Sequence, residues 1–170
     1  LILLARTTQG KALLMDALEN VPKDVNMQHQ LQLVNILSLV TLGDYVQGRD
    51  RALAFVQHEN LNPILKARAH RLLGVASHNL GTHDTENYLD KALEDEVAYG
   101  GRDVWLCHAS LAKWCKDEAQ KIAHYKKSAE LIMKRAKSLE ERPDMKQGFL
   151  DNPLVADILK QAEPEKSVSE

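Results

Sequence analysis

The most reactive side chains of this sequence are two thiols, Cys107 and Cys115, and seven histidines. A thiol nucleophile needs a base within about 3 Å, and His108 follows Cys107 directly, but neighbouring residues on a helix point roughly 100° apart and do not meet. The cysteines therefore read as structural, buried thiols. On one helix they stand about 12 Å apart, too far to bridge each other. His70, His78 and His83 are the nearest group of possible metal ligands. His70 and His78 are about 12 Å apart on a helix, and no HExxH, paired cysteines or carboxylate set accompanies them, so solvated or groove-facing histidines are expected. Glu94, Asp95 and Glu96 would point three ways from one helix and read as a solvated acidic face. Gly100-Gly101 lacks the Lys-Ser/Thr that follows a phosphate loop, and Gly43 with Gly48 lacks a flanking strand. No catalytic residue, metal or cofactor is predicted.

The elements that would carry these residues are helices. Apolar residues make up 44% of the 170 and aromatic residues only 5%, a composition suited to aliphatic helix-on-helix packing in one domain or a short solenoid. Strand-like alternation is scarce, and i, i+3, i+4 spacing is easy to find. Its clearest run is Ile122, Tyr125, Ala129, Ile132, Ala136 and Leu139, which predicts one buried stripe. Asn62-Pro63 reads as a cap and first-turn proline, and Gly100-Gly101 with Asp103 as a stop and a new cap. The predicted helices are 1–8, 11–20, 27–42, 45–58, 63–80, 84–99, 104–116, 118–140 and 153–161, with a disordered polar tail over 162–170.

Charge narrows the partners. A net charge of −2 gives no general attraction for nucleic acid or anionic lipid. Leu1-Ile2-Leu3-Leu4 is interrupted by Arg6 and Gly10, so no membrane span is predicted. Free thiols and the lack of a secretory leader predict a reducing, cytoplasmic setting. A start at Leu1 rather than Met is what a piece of a longer polypeptide would show. Acidic residues concentrate over Asp84 to Glu96, and Lys126, Lys127, Lys134 and Arg135 on the later helix, so attraction between these two helices, or a basic strip for an acidic partner, is expected.

The chain also repeats itself. Ala-Leu pairs at Ala17-Leu18, Ala52-Leu53 and Ala92-Leu93, echoed at Ala129, follow glycines at Gly10, Gly43 and Gly81 with a period in the thirties. Such self-similarity marks a supersecondary unit that buries its apolar face by stacking on copies of itself. Leu72-Leu73-Gly74, Leu80-Gly81 and Tyr88-Leu89-Asp90-Lys91-Ala92-Leu93 together resemble a tetratricopeptide repeat, in which a Leu-Gly pair lies where two helices cross and a second ends the first helix. Leu42-Gly43-Asp44-Tyr45 repeats the turn, and Leu111-Ala112 repeats the crossing pair 38 residues after Leu73-Gly74, whereas Ile36 stands where a small crossing residue is expected. Asp103-Val104-Trp105, Ser110-Leu111-Ala112 and Phe149-Leu150-Asp151-Asn152-Pro153 resemble the closing unit of repeat domains at the C-terminus of large bacterial signalling proteins and ATPase transcription regulators. In those domains the Phe-Leu pair caps the last repeat.

The resemblance implies an all-α fold, a right-handed α-α superhelix of antiparallel helix pairs over 1–161 with a capping helix at its end. It implies a non-enzymatic interaction or regulatory module that holds a protein or peptide, an acidic one in particular, or another domain of the same chain. A small-molecule effector-sensing domain of a transcription regulator is the alternative. In the repeat register the groove-facing residues are Arg68, Arg71, Val75, His78 and Asn79, then Leu106, Ala109, Lys113 and Lys116. Arg68, Arg71, His78, Asn79 and Lys113 are the predicted partner-binding residues, with the arginines suited to a carboxylate.

Overall fold

The structure, a computed structural model, describes residues 12, 13, 16, 20 and 24–163. From 24 to 163 the chain forms eight helices and no strand, so the fold is all-α. They are α1 (Val25–Thr41), α2 (Tyr45–Val56), α3 (Pro63–Asn79), α4 (Thr85–Ala98), α5 (Val104–Trp114), α6 (Glu118–Lys137), α7 (Pro143–Leu150) and α8 (Pro153–Ala162). Ala12, Leu13 and Asp16 are helical, in keeping with the predicted helix over 11–20. The predicted helix 1–8 lies outside the described residues. So does the expected tail beyond Glu163, while Ala162 still belongs to α8.

The chain divides into two compact units, Leu1–Gly101 and Arg102–Glu170. In the first, short polar side chains start the helices. Asp24, Asp44 and Asn62 accept backbone N–H bonds from Met27, Gln47 and Ile64, relieving donors that a helix start leaves unpaired. Glycines end them. Gly43 and Gly81 have φ of 86° and 70°, a left-handed conformation that costs other residues a Cβ clash. The bond sets at the two turns match: Leu42 to Ser38, Gly43 to Val40 and Asp44 to Leu39 in one, Leu80 to Ala76, Gly81 to His78 and Thr82 to Ser77 in the other.

Each turn folds its helix back on the one before. Gly48 of α2 lies against Val40 of α1, and Gly74 of α3 against Leu89 and Thr85 of α4. Since Arg68 near the start of α3 meets Glu96 near the end of α4, the second pair is antiparallel. Ile36, where a small crossing residue is expected, is instead a core side chain at 2% exposure, and the close approach in this pair is of Gly48 to Val40. Ile36, Phe55, Leu72 and Leu73 anchor the core shared by α1, α2 and α3.

The second unit is built on α5 and α6, antiparallel because Trp105 meets Ser128 and His108 meets His124. The predicted stripe on α6 is displaced. Ser128, Ile132 and Ala136 are the buried residues, Tyr125, Ala129 and Leu139 are half-buried, and Ile122 is 43% exposed. Ser128 enters the core because its hydroxyl donates to the Trp105 carbonyl at 2.8 Å, so a polar side chain fills the inward position without an unmet hydrogen bond. Asn152-Pro153 opens α8 as expected, Asn152 accepting the Leu154 N–H at 3.0 Å. The cover over α6 comes mainly from Val155 and Ile158 of α8, which complete a cluster with Ala109 and Ile132, with Phe149 and Leu150 packed around it. Helix α7 was not predicted. Its start, Arg142, makes no side-chain cap bond, and Gly148 weakens its helical signal.

Candidate functional site

Asn62 and Pro63 begin α3, and its buried Leu65, Ala69, Leu72, Leu73 and Ala76 fix the face it turns to the core. Arg68, Arg71, Val75, His78 and Asn79 follow with three-four spacing, so they share one side of the same helix. Their surroundings differ. Arg68 is 35% exposed and its Nε stands 3.8 Å from Oε1 of Glu96, a carboxylate only 1% exposed. Arg71 is half-buried, with a buried Nε that has no hydrogen-bond partner. Val75 packs on the core, and Asn79 donates its amide back to the Val75 carbonyl at 2.8 Å. His78 is exposed. Lys113 belongs to the second unit, where its ammonium lies 5.6 Å from the centre of the Trp114 ring. The structure therefore brings four of the five predicted residues onto one helix side and places the fifth in a separate unit.

The acidic run of α4 is not uniformly solvated. Glu94 is exposed, Asp95 is half-buried and Glu96 is buried. Asp95 lies 3.5 Å from Nδ1 of His70, and Asp84 lies 3.9 Å from Arg49. Three acidic residues of this segment thus meet cations or imidazole of their own unit, on α2 and α3. The reason is register: positions 92 and 96 fall on the inward face of α4, four residues apart, and Arg68 provides a counter-charge opposite the second. His70, expected to be solvated, is buried at 7% exposure and stacks on Tyr88 at 6.5 Å between ring centres. Burial pushes its pKa down, against the opposing pull of Asp95.

Cys107 is buried as expected, whereas Cys115 is only half-buried. His108 turns away from its thiol neighbour to α6. Its Nδ1 lies 2.9 Å from Nδ1 of His124, so one imidazole donates and the other accepts. Burial, then the neighbouring His124 and Lys127, push the His108 pKa down to about 4. In the window between the ordinary value of about 6.5 and that folded value, the unfolded chain binds a proton that the folded chain does not. This contribution to stability is present above the unfolded pKa and lost as the pH falls through the window. Melting temperature should therefore fall between pH 7 and pH 4.5, and His108→Gln should make that fall shallower; parallel melting curves for the two proteins would refute it.

Two concave regions escaped the sequence reading. In the first unit, Gln32, Asn35, Arg51 and His58 surround an apolar floor of Ile36 and Phe55 in a groove of about 290 Å³. His29, Phe55 and His58 cluster there in edge-on and tilted contacts with ring centres 5.1 to 5.9 Å apart. In the second unit, Arg102, Lys134 and Arg135 surround Leu131, Leu139 and Ser138 in a cleft of about 600 Å³. The concentration of cations near the end of α6 was legible, but its junction with Arg102 needed the fold. Among the described residues no three His, Cys, Asp or Glu side chains converge as metal ligands, and no helix is long and apolar enough to cross a membrane. No family model, curated protein or solved structure matches the chain.

Proposed function

We propose that this chain is a non-enzymatic protein-interaction and regulatory module, built of tetratricopeptide-like helix pairs stacked as a right-handed solenoid, and part of a larger bacterial signalling or regulatory protein. The observation that carries the reading is the repetition of one turn. Gly43 and Gly81, 38 residues apart, close α1 and α3 with the same bond set, and a glycine contact seals each following helix pair. The packing of α3 on α1 and α2 as well as on α4 also supports it, since a repeat unit buries its first helix against both helices of the preceding one. A rigid helix face of this kind presents side chains at fixed spacing, and Arg71, His78 and Asn79 on α3 are its proposed partner contacts, with Lys113 a separate proposed contact on the second unit. Arg68 acts at one remove, through Glu96.

The test is affinity capture with the intact chain, followed by binding measurements on the purified partner. Arg71→Ala combined with His78→Ala should weaken that binding at least about tenfold, equal to about 1.4 kcal/mol, with unchanged helicity. Equal binding by the double variant would reject this face.

The groove beneath Arg51 and His58 favours a second reading, an effector-sensing domain, because it joins an apolar floor to a few convergent polar groups. A small-molecule screen by thermal shift, in which a hit loses its effect in Arg51→Ala, separates it from the first.

A further inference from the structure

We propose that the cleft at the end of α6 is a docking site for an acidic peptide that carries leucine-type side chains. Its cations come from two places in the chain: Arg102 from the segment before α5, and Lys134 and Arg135 from the last turn of α6. Among the described residues no carboxylate lines it. Glu130, one turn before Lys134, is engaged by Lys127 at 2.8 Å. Arg135 is held in place, one N–H reaching the Arg102 carbonyl at 3.4 Å and the guanidinium lying 5.5 Å from the centre of the Phe149 ring. Such a positioned guanidinium has further donors in a planar fork that match a carboxylate. Ser138 donates its hydroxyl to the Arg135 carbonyl at 2.7 Å, so the charge in the cleft comes from the three cations.

The floor decides the class of anion. Leu131 on α6 and Leu139, in the turn just past its end, are half-buried and give the cleft an apolar floor between the cations. A single nucleic acid strand is held by base-stacking surfaces as well as by cations, and among the described residues that line the cleft none is aromatic. Cations at a helix end also complement its dipole, which accounts for Lys134 and Arg135 but not for Arg102 or the leucine strip. An acidic peptide with apolar side chains satisfies all of these features. This surface is additional to the α3 face and does not depend on it.

The experiment uses the full chain and a fluorescein-labelled peptide of twelve residues, rich in Glu with two leucines seven or eight positions apart, followed by fluorescence anisotropy. Saturable binding at low salt is expected, weakened at least tenfold by Arg102→Glu with Lys134→Glu. Both side chains are exposed, and the milder pair Arg102→Gln with Lys134→Gln should weaken binding in the same direction. Replacing the two peptide leucines by serine should weaken it as well. Unchanged affinity in both cleft variants overturns the proposal, as does equal binding of the serine peptide or tighter binding of an oligothymidylate of equal charge. If the cleft variants bind normally but Arg71→Ala with His78→Ala does not, the cleft assignment fails while the interaction-module reading stands.

Discussion

Replacing Gly74 with leucine is expected to destabilise the first unit by about 3 kcal/mol, at the upper end of what overpacking a helix contact costs. A Cβ at this position would stand 2.7 Å from both Cγ and Cδ2 of Leu89 and 3.2 Å from the Thr85 carbonyl oxygen. Leu89 is fully buried, and the carbonyl belongs to the backbone of the facing helix, so neither yields without moving α4. Even alanine meets this contact, and its better helix propensity, about 1 kcal/mol over glycine, is opposed by the clash. Thermal unfolding of Gly74→Ala and Gly74→Leu should therefore give a graded loss, the leucine variant melting lower by at least about 10 °C in a unit of this size. Wild-type melting by the leucine variant would show that the two helices do not cross at Gly74.

The second expected result concerns Arg68. Had it been a solvated groove residue, its removal would leave the fold untouched. Glu96 changes that expectation: its carboxylate is 1% exposed with the Arg68 guanidinium 3.8 Å away, and Gly101 leaves room for it where any Cβ would collide. Arg68→Ala removes a counter-charge from a buried anion, which in full burial costs about 3 to 5 kcal/mol. Arg68 is 35% exposed and water screens part of the pair, so about 2 kcal/mol is expected. Glu96→Gln should relieve the loss, so the double variant should be more stable than the sum of the single effects by about 1 kcal/mol. Additive losses in a double-mutant cycle would mean that Arg68 and Glu96 do not interact.

The helices were legible because their punctuation is local. Asn62-Pro63, Asn152-Pro153, Leu42-Gly43 and Leu80-Gly81 act through bonds spanning a few residues, and the helix ends fall within a few positions of expectation. Helix α7 carried no such cap and was missed. Partners across helices were harder to read. The burial of Glu96, the His108 to His124 bond and the Ser128 to Trp105 bond depend on which rows of two helices interlock, and periodicity alone leaves that rotation open. On α6 the apolar pattern pointed to Ala129 as inward, while a hydroxyl with a carbonyl to meet drew Ser128 in. The charged cleft was half legible, because Lys134 and Arg135 are adjacent in sequence and Arg102 is not.

The short connections between paired helices also bear on how the chain reaches this structure. Contacts that hold each helix pair join residues close in sequence: His108 and His124 are 16 apart, and Trp105 and Ser128 are 23 apart. Loop-closure entropy rises with the length of chain enclosed, so such contacts need little of the chain to be organised before they form. A topology dominated by them has low contact order, which places folding on the microsecond-to-millisecond scale typical of helical bundles. Each hairpin then closes on contacts of its own, ahead of the packing of one pair on the next.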